Sequence, residues 1–108
     1  MSSLQYLNSK LSDAIYFLTI GEGDARTRLA KVVPKINILS TSSFPAQLQK
    51  DFEWVKSKIE KGTGFHPQDF PPADKLTGIT NATASNVIKK LVDIQAAIES
   101  QLESTLRE

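Results

Sequence analysis

His66 is the only histidine of the chain and lies in the segment Gly64-Phe65-His66-Pro67-Gln68-Asp69-Phe70. An imidazole titrates near neutral pH, so His66 assisted by Asp69 has the makings of a general base. A base works only beside a positioned nucleophile and donors for a developing oxyanion, and the sequence supplies neither. A loop histidine without a chemical role accounts for the same residues. The chain has no cysteine. That removes thiolate catalysis, disulfides and sulfur-ligated zinc, and a single histidine is a poor start for a transition-metal site. Gly21-Glu22-Gly23-Asp24 has the look of a phosphate-cradling loop. The dinucleotide fingerprint needs a preceding strand and a third glycine, and two acidic side chains here would repel phosphate. We therefore assign no catalytic residue, no cofactor and no metal, and expect a protein that is not an enzyme.

Two further constellations bear on binding. Arg26, Arg28, Lys31 and Lys35 make the second helical segment basic, and Arg28, Lys31 and Lys35 fall on one side of it. Read functionally, they form a docking surface for an acidic partner or for nucleic acid. Read structurally, they are a solvated face, with the cations toward the negative helix end and Glu22 and Asp24 at the positive end. The segment from Leu76 to Ile88 looks like the turn and recognition helix of a helix-turn-helix DNA reader. Gly78 would be the turn glycine, Ile79 its buried neighbour, and Asn81 to Asn86 the groove-facing residues. The upstream half fails: Pro71 and Pro72 sit where a first helix should run, and Asp74 takes a position that normally packs a small apolar side chain.

The elements that would hold these residues are helical throughout. Leu4, Leu7, Leu11, Ala14 or Ile15, and Leu18 recur in steps of three and four, which predicts a helix over Ser3 to Ile20 with one apolar stripe. Tyr16 and Phe17 are expected to widen that stripe. Gly21 to Gly23 end the helix, and Asp24 is placed to cap the next. Leu29, Val32, Val33, Ile36 and Leu39 form the inner face of helix two. Pro34 lies inside that pattern and predicts a kink or an early end, and the apolar phase running on to Ile36 favours the kink. Helix three is expected from Phe44-Pro45 to Gly62, on Leu48, Phe52, Val55 and Ile59, with Trp54 on the flank. Residues 62 to 80 hold the Gly/Pro-rich stretch, which Phe65, Phe70 and Leu76 must pin to the bundle, with one helical turn expected around Ala73 to Leu76. Helix four starts near Asn81 or Thr83. Its stripe is Val87, Leu91, Ile94, Ile98, Leu102 and Leu106, broadened by Ile88 and Val92, with Glu103 and Arg107 as a favourable pair. No strand-like alternation and no internal repeat is present.

The 108 residues suit one domain, 1–108, and the pattern predicts an all-α, compact four-helix bundle with one long Gly/Pro-rich loop before the last helix. Lys plus Arg number 13 against 12 Asp plus Glu, a formal net charge of +1. A nucleic-acid binder normally carries a basic excess to neutralise phosphate, so this balance disfavours a nucleic-acid partner. The polar N-terminal segment lacks the pattern of a secretory signal, and the apolar runs are too short to span a bilayer. A cytoplasmic protein without membrane contact is expected.

Ala14 to Leu18 with Gly21-Glu22-Gly23-Asp24-Ala25-Arg26-Thr27-Arg28-Leu29, and Phe44-Pro45-Ala46-Gln47-Leu48-Gln49-Lys50-Asp51-Phe52-Glu53-Trp54, carry a wider likeness. Together with Leu76 to Ile94 they resemble a family of small all-helical bacterial proteins of unassigned function. The resemblance covers most of the chain. It implies a helical cytosolic protein and no particular activity. The matching last segment of that family does not look like a helix-turn-helix, which counts against the DNA reader.

The resulting expectation is a non-enzymatic protein-interaction module, with a DNA-binding regulator built on residues 76–90 as the alternative. The candidate partner-binding residues are Arg26, Arg28, Lys31, Lys35, Leu102 and Leu106. The last two enter through length. Helix four would be about 37 Å long, against about 25 to 27 Å for helices one and three, so its terminal leucines are expected to stand uncovered. Uncovered leucines invite another protein or a second copy, with Glu99, Glu103 and Glu108 meeting the basic helix two of a homodimer partner.

Overall fold

The computed structural model describes residues 3–63 and 78–107, with side chains for 4–61 and 78–104. Within them the chain is an all-α four-helix bundle: α1 (Ser3–Ile20), α2 (Ala25–Asn37), a 3₁₀ turn (Thr41–Ser43), α3 (Ala46–Thr63) and α4 (Asn81–Arg107). Among the described residues there is no strand. The stretch carrying Phe65, His66, Phe70 and the expected turn at 73–76 lies outside them, as does the side chain of Arg107.

Each helix begins or ends for a local reason. α1 closes where the Gly21 amide bonds back to the Phe17 carbonyl at 2.9 Å. A Cβ on Gly21 would stand 2.9 Å from that same carbonyl oxygen. Gly23 has φ +98°, a conformation that L side chains rarely adopt. Asp24 then caps α2, accepting from the Thr27 amide at 3.0 Å and from the Thr27 hydroxyl at 2.9 Å. α2 runs through Pro34 and stops three residues later, at Asn37, short of the end its apolar pattern predicts. Pro34 offers no amide to the turn before it. Leu39 is still buried, in the turn that follows, with its amide on the Ile36 carbonyl. The Lys56 ammonium donates to the Leu39 carbonyl at 2.8 Å. Pro45 stands just before α3 rather than in its first turn, its carbonyl accepting from the Leu48 amide, and α3 continues one residue past Gly62.

α2 and α4 each touch all the other helices, while α1 and α3 sit at opposite corners with the 3₁₀ turn contacting both. α1 and α3 run antiparallel to α4: Gln95 bonds Asn8 and Ser12, and Gln47 bonds Gln101. The core takes Leu7, Leu11, Ala14 and Leu18 from α1, Leu29, Val32, Val33 and Ile36 from α2, and Phe52, Val55 and Ile59 from α3. α4 supplies Ala84, Val87, Leu91, Ile94 and Ile98. Phe44 stacks on Phe52 with ring centroids 4.1 Å apart. Burying this set drives the fold, since removing apolar surface from water is its largest favourable contribution.

The expected width of two stripes needs correction. Tyr16 and Phe17 do not join the core; they are 60% and 44% exposed, and Ile20 beyond them is 55% exposed. Leu7, Leu11, Ala14 and Leu18 already fill the arc of α1 that meets its neighbours. A residue next to a buried one is turned about 100° away, which carries Phe17 outside. Val92 is likewise exposed on α4, whereas Ile88 and Trp54 pack partly buried against the core.

Candidate functional site

The expected basic group divides in two. Arg26 is half-buried where α2 meets the start of α4. Its backbone amide donates to the Asn81 side-chain oxygen at 3.2 Å, and its Nε is buried without a hydrogen-bond partner. The Asn81 amide nitrogen in turn donates to Asp24 at 3.2 Å. Asp24 and Asn81 thus tie together the first turns of α2 and α4, satisfying amides that a helix start leaves open. The Thr27 amide, then the Thr27 hydroxyl, Asn81 and the Arg26 charge hold the Asp24 carboxyl down at about 2. Arg26 therefore belongs to a structural junction.

Arg28, Lys31 and Lys35 do share one side of α2, and that side meets α1. Arg28 Nε donates to the Gly23 carbonyl at 2.9 Å, and its stem lies against Gly21. Lys35 crosses to α1: its ammonium is 2.8 Å from the Asp13 carboxylate and 4.6 Å from the centre of the Phe17 ring. Lys31, between them, is exposed. On α1, Asp13 and Phe17 meet Lys35 across the helix pair, and Tyr6, Lys10 and Ile20 share their line, spaced by alternate steps of four and three. The Lys10 ammonium lies 5.6 Å from the Tyr6 ring centre, and Tyr16 meets Phe17 edge-on at 6.0 Å. The outer α1/α2 face is therefore an exposed row of aromatic and aliphatic side chains with cations laid over and beside it.

Sequence reasoning finds the cations of this face and misplaces its apolar part. The step pattern 6, 10, 13, 17, 20 is present in the sequence, but Lys10 and Asp13 interrupt its hydrophobicity. Tyr16 and Phe17 sit next to core positions and read as their extension.

The C-terminal candidates fare differently. Leu102 is half-buried: part of it packs against the core and part stays accessible, so the α4 stripe is fully covered only through Ile98. It lines an open groove with Asn8, Glu99 and Glu103. The Leu106 side chain lies outside the described residues. The start of α4, proposed above as the groove-reading end of a DNA binder, is engaged internally. Thr80 caps it through the Thr83 and Ala84 amides, Ala84 is buried, and Asn81 is bonded to Asp24 and Arg26.

Among the described residues, no group of His, Asp and Glu side chains is placed to hold a metal ion, and no helix is long and apolar enough to cross a membrane. Comparison with protein-family models, with curated proteins and with solved structures gives no match.

Proposed function

We propose that this chain is a non-enzymatic protein-interaction module that docks another protein on the outer face of α1 and α2. The observation that carries the reading is the exposure of Phe17 and Ile20 on α1 directly beside the basic edge of α2. Single exposed apolar side chains are ordinary on a protein surface; several in register, rimmed by charge, mark an interaction surface. Aromatic side chains supply large contact area at small entropic cost, and cations at the rim steer and orient a partner. Of those cations Lys31 is the cleanest to probe, because Arg28 also fastens the turn at Gly23.

The test is recovery of the tagged chain from its native host, beside a Lys31→Glu, Lys35→Glu variant with the same circular dichroism spectrum. A protein that accompanies the original chain and is lost from the variant supports the docking face. Equal recovery with both contradicts it.

A further inference from the structure

From the geometry of the same face, and resting on the docking reading above, we infer that its occupant is an acidic amphipathic helix of about four turns. Tyr6, Lys10, Asp13, Phe17 and Ile20 lie along one line of α1, and the antiparallel α2 raises Lys31 and Lys35 alongside it. Two adjacent helices leave a furrow between them, and a third helix fits such a furrow, its apolar stripe inward. From Tyr6 to Ile20 the line runs about 21 Å at 1.5 Å per residue, which sets the length of the occupant.

The charge of the furrow sets its chemistry. Along the two helices the charged side chains of the furrow are Lys10, Lys31, Lys35 and the carboxylate of Asp13, with which Lys35 pairs, while Glu22 stands beyond them in the turn that joins α1 to α2. The Lys35–Asp13 pair is partly exposed on both sides, 37% and 51%, so it is weakly held and open to exchange. A carboxylate on the incoming helix takes Lys35 from Asp13 and uncovers the Phe17 ring for an apolar side chain. A bilayer surface fits less well. The exposed apolar side chains of this face, Tyr6, Phe17 and Ile20, follow one line along a furrow rather than a broad apolar face that could enter a bilayer.

Three helical peptides of four turns test this by titration against the full chain. They share leucines at every third and fourth position and carry glutamate, glutamine or lysine elsewhere. The acidic peptide should bind about tenfold or more tighter than the neutral one, as expected when several exposed ion pairs add, and should weaken as salt rises. Asp13→Asn should tighten the acidic peptide about two- to threefold by freeing Lys35, and leave the neutral peptide unchanged. Phe17→Ser with Ile20→Ser should abolish binding of both. If the acidic and neutral peptides bind alike and both need Phe17 and Ile20, the docking face stands and its acidic occupant is excluded. If none binds at about 1 mM, or binding ignores Phe17 and Ile20, the docking reading itself fails. Binding to anionic phosphatidylglycerol vesicles without binding of the acidic peptide overturns the inference in favour of a membrane surface.

Discussion

The Lys35 ammonium rests 2.8 Å from the Asp13 carboxylate while lying 4.6 Å from the centre of the Phe17 ring. One cation therefore ties α2 to α1 and shields an exposed aromatic. Both contacts sit at the surface, where an ion pair contributes about 0 to 1 kcal/mol. Exchanging Lys35 for alanine should thus shift stability by less than about 1 kcal/mol in a urea titration. A larger loss would make the pair a structural clamp rather than an exchangeable contact.

The core makes the opposite prediction. Leu91 and Ile98 of α4 are fully buried, so truncating either to alanine should cost about 2 to 5 kcal/mol by denaturant titration. Ile20→Ser, on the outer face, should stay within about 0.5 kcal/mol of the original. Far-UV circular dichroism should report mostly helix for all three variants at low denaturant. Equal costs at Leu91 and Ile20 would contradict the packing described.

Much of this packing is legible in the sequence, because each helix buries a stripe set by its own period. Ser3 and Ile20 bound α1, and Asp24 caps α2, as spacing and capping chemistry predict. What escapes the sequence is which neighbour a residue beside the stripe will meet. Phe17 and Leu18 are adjacent and both apolar, yet one is exposed and the other buried; the helical period turns them about 100° apart, and how far the buried arc reaches is set by where α2 and α4 pack. The tie between Asn81 and Asp24 is invisible for the same reason: 57 residues separate the partners.

Acid should weaken the junction of α2 and α4. Hydrogen bonds lower the Asp24 carboxyl from 3.8 to about 2 in the folded chain. A depressed pKa means that the unfolded chain takes up the proton first. The contribution is therefore complete above about pH 4 and is lost as pH falls toward 2. Thermal unfolding from pH 5 to 2 should show Tm falling in that window, with a shallower fall in Asp24→Asn. An identical acid limb in both proteins would remove Asp24 from the account.

Leu102 separates a core role from a dimer seam. It is half-buried within its own bundle, so Leu102→Ser should lower Tm without changing the molar mass measured by light scattering at micromolar concentration. A dimer that dissociates on that substitution would restore the end of α4 as a self-association site.

A DNA-binding role built on the start of α4 makes a separate demand. Contacts to phosphate give an affinity that falls steeply with salt. With Asn81 held by Asp24 and Arg26, and Ala84 buried, duplex DNA should show no such salt-dependent binding. A steep, saturable isotherm lost on Ser85→Glu would favour the regulator over the interaction module.

Whether the α1/α2 face holds another protein is tested by site-specific photocrosslinking in the native host. A photoreactive residue is placed at Phe17, at Ile20 or, as a control, at Glu53, which is exposed on α3. The same discrete adduct is expected from positions 17 and 20, none from 53, and loss of that adduct when Lys31 and Lys35 become Glu. Adducts equally abundant from all three positions, or none from 17 and 20, would contradict it.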